Sequence, residues 1–519
     1  MPFSYIYRAS PRLPYSSYRL PEFCFHGHIL ERVTMKFGDN LPAADCTADR
    51  ETKKKILYRC LITAGVSGVL AHAFMLFSKI SFHDDLRHTF DFGATYTSGR
   101  WALGILESLM KKLFGLNAGL PVFSGFLSLF FIALSAYLII LRFRIRRVPD
   151  QVLITALMIC FPVVTATFSY MFTAPAYFFA LLCATAGAYL ITGCFHVCPD
   201  GRAASENAHA SDRMPLFLRV MGGLLLLAFS TGIYQAYLAS GVCFLYFYLF
   251  TRILDENTDS KRWILSCLAA LFAVGAGLIL YLGFNRLALR LTGLQMGSYQ
   301  GLDSMTRFGL PEIARGVYYC YHSVAKVFLK GYKGLFYLNS SRTALIILWI
   351  MTGLEMIILV CIRKKTCLQR ILIFAMLALC PLPLALVELM VANSGDGSTV
   401  HTLMVYSLVY LFVFPAALLQ QAETIPRKKI AQWIKRTEIC CLLFLAIYFA
   451  FFDNAAYFKA RVYQEQSEQF LNRLVMRIES EEGYEPDMKI ALVGTFDPDI
   501  YTHYEELDQI EITYCQDNT

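Results

Sequence analysis

Two adjacent aspartates, Asp84 and Asp85, are the residues of this sequence whose type and position best suit chemistry. They follow a long apolar stretch, residues 56–79, and belong to the polar run His-Asp-Asp-Leu-Arg-His at 83–88. A carboxylate that can reach a hydroxyl group takes up its proton as the oxygen attacks, so one aspartate suffices as a general base. The other would orient a reactant or keep its proton, because adjacent carboxylates at an apolar boundary resist double ionisation. Which aspartate has which role stays open, and a solvated turn with a helix-capping aspartate is the alternative.

The composition places this pair in a membrane protein. Hydrophobic residues make up 56% of the 519 and charged residues 17%, with a mean hydropathy of +0.47, which is far from a soluble globular chain. About eleven apolar stretches approach the ~20 residues that cross a ~30 Å hydrocarbon core as a helix. These stretches are residues 56–79, 120–141, 152–172, 176–195, 216–233, 236–250, 263–284, 343–362, 371–392, 403–419 and 439–452. The sequence therefore predicts an all-α polytopic membrane domain at residues 56–454.

The distribution of lysine and arginine predicts the orientation, because basic residues next to a span resist translocation. Alternate connections are basic, at residues 50–55, 142–147, 252–262, 363–365 and 427–436, whereas the short connections between them carry no lysine or arginine. The basic connections are expected on the cytoplasmic side. The amino terminus is then inside, the carboxyl terminus is outside, and Asp84 and Asp85 face the outside.

The first large outer connection, residues 80–119, continues from the aspartates past Arg87 to Gly99-Arg100-Trp101. Its second half has apolar residues at helical spacing from Leu106 to Leu113, with charged residues between them. This pattern is typical of a helix that lies in the membrane interface, either as an anchor or as a wall for a substrate.

The second large outer connection, residues 285–342, is basic although it is predicted to lie outside. Pro311 followed by Glu312 indicates the start of a helix. From there, basic and polar side chains recur at steps of three or four and share one stripe: Arg315, Tyr319, His322, Lys326, Lys330 and Lys333. Such a stripe suits anionic lipid headgroups or the phosphate of a bound substrate, and the charges alone do not distinguish the two.

Both termini differ from the membrane domain. Residues 1–55 form a predicted cytoplasmic segment, whose first part is expected to be loosely ordered or to precede the true start at Met35. The acidic tail, residues 455–519, has an amphipathic helix at 470–478 and two short apolar segments, 490–493 and 510–514, that resemble strands. The tail is predicted to form a small α/β appendage outside the membrane.

No stretch of the sequence indicates a soluble catalytic domain. Walker and Gly-x-Gly-x-x-Gly motifs are absent, and the 16 cysteines are mostly single residues in apolar runs without metal spacing. We therefore expect no cofactor and no nucleic-acid partner, and no candidate metal ligands are evident in the sequence, which leaves a metal requirement open. Any energy for chemistry must arrive with an activated substrate, which on the outer face points to a lipid-linked donor.

The chain resembles the GtrII family of bacterial glucosyltransferases, within the GT-C class of polytopic membrane glycosyltransferases. The resemblance rests on the Asp-Asp-Leu-Arg motif after the first span, on Thr-Ser-Gly-Arg-Trp at 97–101, and on Ser-Thr-Gly-Ile-Tyr-Gln-Ala-Tyr at 230–237. It covers roughly residues 55–493.

This resemblance implies a GT-C-like fold and an inverting transfer of a hexose, expected to be glucose, from a polyprenyl-phosphate carrier. The acceptor would be a surface polysaccharide such as O-antigen, or a glycolipid, on the outer face of the bacterial inner membrane. The acidic motif falls on Asp84 and Asp85. The leaving phosphate needs cations, and the candidates for phosphate or substrate binding are Arg87, Arg100, Arg315, His322, Lys326, Lys330, Tyr234 and Gln235.

Two other classes of protein remain open on the sequence alone. A lipid-linked saccharide flippase or transporter is also all-helical, but usually shows internal repeats, and none is evident. A noncatalytic assembly protein could use the acidic tail to recruit partners. Tyr234 and Gln235 would line a cavity or simply form a tight turn, and Glu388, near the end of a span, would face a cavity or partner or reach to the interface.

Overall fold

The structure is a computed structural model that describes residues 46–80, 84–88, 90–116, 119–195, 215–256, 258–297, 309–336, 338–391, 400–420, 428–491, 493, 504–508 and 510. The expectations for the leader before residue 46 lie outside the described residues. The helices are α1 (Cys46–Phe77), α2 (Asp84–Arg87), α3 (Trp101–Phe114), α4 (Pro121–Arg142), α5 (Val148–Cys160), α6 (Pro162–Phe168), α7 (Ala174–Cys194), α8 (Leu216–Ile233), α9 (Leu238–Leu254), α10 (Ser260–Thr292), α11 (Leu310–Leu329), α12 (Asn339–Ile362), α13 (Cys367–Leu379), α14 (Pro381–Leu384), α15 (Leu386–Met390), α16 (Tyr410–Leu418), α17 (Lys428–Glu479) and α18 (Glu505–Asp508).

The described residues form an all-α membrane bundle, as the sequence predicts. Within the described ranges, ten helical stretches are long and apolar enough to cross a membrane: Arg50–Phe77, Pro121–Arg142, Val148–Phe168, Ala174–Cys194, Leu216–Ile233, Gln235–Leu254, Ser260–Thr292, Asn339–Ile362, Cys367–Leu384 and Lys429–Glu479. The predicted eleventh span, residues 403–419, is a shorter apolar helix, Tyr406–Leu418. Its α-helical part is short because residues 402–404 and 406–409 form 3-10 helix. The remaining α-helix, α16, lies fully buried inside the bundle.

One predicted span is broken where Pro162 separates α5 from α6. Proline has no N–H, and its ring prevents the preceding turn from closing, so backbone carbonyls just before it lose their helical donors. The hydroxyl of Tyr406 donates to the Met158 carbonyl at 2.7 Å. The His72 ring bonds the Ile159 carbonyl through Nε2 at 2.9 Å. Buried side chains thus replace the hydrogen bonds that the break removes.

Two helices are longer than predicted. Helix α10 continues to Thr292 and so includes Asn285, Arg286 and Arg290, which the sequence assigned to an outer connection. Helix α17 is continuous over 52 residues, about 78 Å at 1.5 Å per residue, and so exceeds the ~30 Å hydrocarbon core. The amphipathic helix predicted at 470–478 is therefore the end of this long helix and not a separate element.

The tail contains no strand among its described residues. Residues 490, 491 and 493 are irregular, so the first predicted strand is wrong, and most of the second, residues 511–514, lies outside the described residues. The side-chain ammonium of Lys459 on α17 donates to the carbonyls of Leu507 and Ile510, at 2.8 and 3.0 Å. The short helix α18 thus packs back against α17, without the predicted sheet.

Basic connections that are far apart in the sequence meet at one end of the bundle. Arg363 donates to the Leu254 carbonyl at 2.5 Å, and Lys365 bonds the carbonyl of Asp255. Helices α4 and α9 run between the two ends, since each begins beside the first outer connection and ends among these basic residues. The grouping agrees with the alternation on which the predicted orientation rests.

Candidate active site

A polar pocket of about 410 Å³ lies at the end of the bundle opposite the basic connections. Its walls come from α2 and the loop after it, the turn between α6 and α7, the junction of α8 and α9, and the segments around α15 and His401. The lining residues are Asp84, Arg87, His88, Phe92, Gly93, Ala94, Ser98, Arg100, Tyr170, Phe172, Tyr177, Tyr234, Gln235, Ala236, Val387, Met390, Val391, His401, Leu403 and Met404. We call this cavity the polar pocket.

The two aspartates have different surroundings. Successive residues of a helix point about 100° apart, so the single turn of α2 separates Asp84 from Asp85. Asp84 lines the polar pocket. Asp85 is only 2% exposed, and its Oδ2 lies 3.5 Å from Nζ of Lys79. The structure therefore brings Asp84, and not Asp85, to the cavity.

A histidine and an aspartate missed by the sequence analysis extend the acidic motif. Nδ1 of His88 lies 2.7 Å from Oδ1 of Asp91, which also accepts from the backbone N–H of Gly93 at 2.7 Å. Burial raises the pKa of Asp91, but the bonds from Gly93 and His88 together outweigh burial and leave the pKa below its ordinary value. The His88 ring packs against Phe172. The feature of the sequence that could have indicated this contact is the spacing of three residues between His88 and Asp91.

Arg100 is held over a pair of stacked tyrosines. The rings of Tyr177 and Tyr234 are parallel, with centroids 4.3 Å apart. The guanidinium of Arg100 donates to the Tyr177 hydroxyl at 3.2 Å, and its carbon lies 4.9 Å from the centre of the Tyr234 ring. Stacking and cation–π attraction therefore fix a positive charge at the pocket. The sequence analysis named Arg100 and Tyr234 but missed Tyr177, which lies in an apolar helix.

Gln235 fixes the loop that carries Arg100. Its amide donates to the Ser98 carbonyl at 2.9 Å and lies 3.3 Å from the hydroxyl of Tyr281, which donates to the Gly99 carbonyl at 3.1 Å. Gly99 has φ +73°, and a Cβ there would lie 2.8 Å from that hydroxyl. Glycine is thus required both by the left-handed backbone and by the close approach.

The predicted cations divide into two groups. Arg87 and Arg100 line the polar pocket, whereas Arg315, His322, Lys326 and Lys330 do not. Those four are exposed, and the His322 ring stacks on Tyr318 instead. The stripe also ends early, because α11 stops at Leu329 and Lys333 lies in a turn with φ +50°. Two of the predicted cations therefore line the polar pocket, and the other four residues lie outside its lining.

Glu388 takes part in a buried cluster next to this pocket. It is 4% exposed and accepts from the Ser323 hydroxyl at 2.7 Å and from the hydroxyl of Tyr332, so it faces partners and does not reach to the interface. Burial lowers the pKa of His401, which lines the pocket, and the charge of Lys333 lowers it further. Burial likewise lowers the pKa of Lys333, and Glu388 offsets part of this. Among the described residues no group of His, Cys, Asp or Glu could hold a metal ion.

An apolar groove of about 370 Å³ adjoins the polar pocket. It lies between α3, α4 and α7, and shares Phe92 and Phe172 with the pocket. The other lining residues are Leu106, Met110, Phe114, Leu116, Leu120, Phe123, Ser124, Leu127, Phe131, Pro175, Ala176 and Phe179. The helix predicted from residue 106 onward is confirmed as part of α3, and it supplies one wall of this apolar groove.

A helical membrane bundle has a carboxylate and two guanidinium groups in a pocket at one end, next to an apolar groove, and this arrangement is typical of a polytopic membrane enzyme. The family model described as Glucosyl transferase GtrII matches residues 73–414, which is most of the chain. The chain belongs to this glucosyltransferase family, which favours transfer over transport or scaffolding. The matched range is narrower than the expected 55–493. No curated protein and no solved structure matches the chain.

Proposed function

We propose that the protein transfers glucose from a polyprenyl-phosphate carrier to a surface polysaccharide or glycolipid, such as O-antigen, at the outer face of the bacterial inner membrane. The observation that carries the lipid-linked donor is the junction of the polar pocket with the apolar groove at Phe92 and Phe172. A donor with a charged sugar-phosphate head and a long isoprenoid tail matches this pair of cavities in polarity. A water-soluble sugar nucleotide has no long apolar tail that would occupy the apolar groove.

Asp84 is the proposed base. Its carboxylate takes the proton of the acceptor hydroxyl while that oxygen bonds to the anomeric carbon. The bond from the anomeric carbon to the phosphate oxygen breaks at the same time, and the carrier leaves as its phosphate. A single displacement inverts the anomeric carbon and needs one base only, in contrast to retention, which uses two carboxylates.

Arg87 and Arg100 are the proposed phosphate ligands. The leaving phosphate gains negative charge, and fixed cations stabilise that charge without having to reorganise. Arg100 is suited to this because its guanidinium is already oriented by Tyr177 and Tyr234. Gln235 contributes indirectly, since it holds the backbone before Arg100.

The test is glucosyl transfer by the purified protein in lipid nanodiscs, with polyprenyl-phosphate glucose and, separately, a sugar nucleotide as donor. We expect transfer from the lipid-linked donor alone. Asp84→Asn should lower kcat by about 10²–10⁴-fold, the usual contribution of a general base, without loss of the folded state. Asp487→Asn, at an exposed tail residue, is the matched control and should be as active as the wild type.

Transfer from the sugar nucleotide would contradict the proposed donor, and full activity of Asp84→Asn would contradict the proposed base. The acceptor is tested in cells, by comparing the composition and linkage of surface polysaccharide with and without the protein. A glucose branch that is missing without the protein identifies the product. An unchanged polysaccharide would contradict the acceptor class.

A further inference from the structure

A second pocket, about 240 Å³ in volume, lies at the end of the bundle opposite the polar pocket. It is formed where α4, α9 and α16 end. Its charged lining residues are Arg142, Arg144, Arg146, Arg147, Arg252 and Asp255. We call it the arginine pocket. The 22 residues of α4 span about 33 Å at 1.5 Å per residue, from the connection at residues 80–119 to the arginine pocket. The arginine pocket is therefore separate from the candidate active site.

The positive charges of the arginine pocket are only partly neutralised. Arg252 pairs with Asp255 at 2.9 Å, and Arg147 pairs with Asp150 at 3.4 Å. Among the described residues, Arg142, Arg144 and Arg146 have no carboxylate partner. Nε of Arg142 is also buried with no hydrogen-bond acceptor in the described part of the chain. A concave site with about three uncompensated positive charges favours a bound anion.

The arginine pocket is partly ordered before any ligand binds, because one guanidinium and one backbone N–H are held by neighbouring groups. The Arg142 guanidinium donates to the Tyr189 carbonyl at 2.7 Å and lies 4.0 Å from the centre of the Tyr189 ring. The backbone N–H of Arg146 donates to the Gln420 side chain at 3.1 Å. Charges that served only to orient the chain in the membrane would need no such fixing.

The backbone of Arg144 adds an independent observation. Arg144 lies two residues after the end of α4 and has φ +54°. The following backbone N–H, of Ile145, donates to the Ile140 carbonyl at 3.0 Å and so closes the end of the helix. Glycine usually occupies this left-handed position, because a side chain there is strained. An arginine at a position that favours glycine supports a use for its charge beside the pocket geometry.

We propose that the arginine pocket binds the phosphate of an anionic phospholipid headgroup. Val148 and Val152, close in sequence, are exposed at 44% and 37%, so the pocket lies at the boundary between apolar surface and polar connections. Basic pockets between membrane helices bind anionic lipid headgroups. The volume is below the ~300–1,000 Å³ of pockets for drug-sized ligands, which fits a phosphate headgroup and not a sugar nucleotide.

The experiment measures phospholipid retained by the full-length protein, by native mass spectrometry after exchange from mixed phosphatidylglycerol and phosphatidylcholine nanodiscs. The test variant is Arg144→Gly with Arg146→Ala. Glycine removes the charge at residue 144 and its backbone strain together, so the variant should fold. The control is Lys54→Ala with Arg436→Ala, which removes two exposed charges outside this pocket.

We expect preferential retention of phosphatidylglycerol by the wild type and the control. The affinity of the test variant should fall about fivefold for each charge removed. Equal loss in the control, or undiminished retention in the test variant, would overturn the proposal. A second arm adds inorganic phosphate in phosphatidylcholine alone. Thermal stabilisation there that the test variant loses would assign the site to free phosphate and overturn the lipid assignment.

Discussion

At the scale of single residues, two neighbours of the same type have different environments. Asp84 lines the polar pocket, whereas Asp85 is buried beside Lys79. A Cβ on Gly119 would lie 3.2 Å from Oδ1 of Asp85, so Asp85 also packs closely against the start of the next span. We therefore assign Asp85 a positioning role, in which it holds α2 against the bundle.

Asp85→Asn tests this role. The amide has nearly the same shape but weakens the charged interaction with Lys79, and a buried polar group that loses its partner costs about 1–3 kcal/mol. We expect a lower free energy of unfolding by that amount and a smaller loss of kcat than in Asp84→Asn. Thermal unfolding and transfer kinetics, measured on the same preparations, check both effects. An inactive Asp85→Asn protein with unchanged stability would instead make Asp85 the base.

At the scale of elements, the break at Pro162 shows how a nonregular helix is tolerated within a membrane. A backbone carbonyl in the hydrocarbon region needs a protein donor, because water is absent there. Tyr406 and His72 supply donors to Met158 and Ile159, and the Nδ1 of His72 is bonded to the Tyr457 hydroxyl at 2.9 Å. Since a carbonyl only accepts, Nε2 of His72 carries the hydrogen.

Tyr406→Phe should therefore destabilise the protein. Removing the hydroxyl leaves the Met158 carbonyl without its donor, at a cost of about 1–3 kcal/mol. Tyr410→Phe is the matched control, because the buried Tyr410 hydroxyl has no hydrogen-bond partner among the described residues. Thermal unfolding in nanodiscs should show a lower Tm for Tyr406→Phe and an unchanged or higher Tm for Tyr410→Phe. Equal effects in both variants would contradict the argument.

At the scale of the whole molecule, the bundle has two chemically different ends. One has the polar pocket and the other has the arginine pocket. Basic residues next to spans stay on the cytoplasmic side. We therefore propose that the amino terminus and the arginine pocket are cytoplasmic and that the polar pocket faces outward. Residues 401–420 run from the polar pocket to the arginine pocket and so add an eleventh crossing to the ten long spans, which places the proposed carboxyl terminus outside.

This orientation is tested with a membrane-impermeant maleimide on intact cells, in a cysteine-free background. Ala94→Cys, an exposed residue of the polar pocket, should react in intact cells. Lys54→Cys, exposed at the start of the first span, should react only after the membrane is opened. The native Cys361 and Cys367, both exposed near the basic connections, restored singly, should behave like Lys54→Cys. Reaction of the opposite set would reverse the proposed topology.

The sequence predicted the parts of this protein that depend on local composition. Spans are recognised because each must bury its own backbone hydrogen bonds and cover a fixed thickness of hydrocarbon, and Pro311 marks the start of α11 because proline fits a first helical turn. The acidic motif at Asp84 and Asp85 was recognised because polar residues directly after an apolar span are distinct in the sequence. The family followed from short motifs around Asp84, Arg100 and Tyr234, and the family match confirms it.

Tertiary structure alone decided which of these residues meet. Asp84 and Asp85 are equivalent in the sequence and differ only through what packs against one turn of helix, and Tyr177 reaches Arg100 from an apolar helix that carries no local signal. The stripe from Arg315 to Lys326 has the expected spacing but lies outside the polar pocket, because spacing fixes a helical face and not what that face meets. Local propensity and hydropathy act over a few residues, whereas a site is assembled from segments hundreds of residues apart by packing.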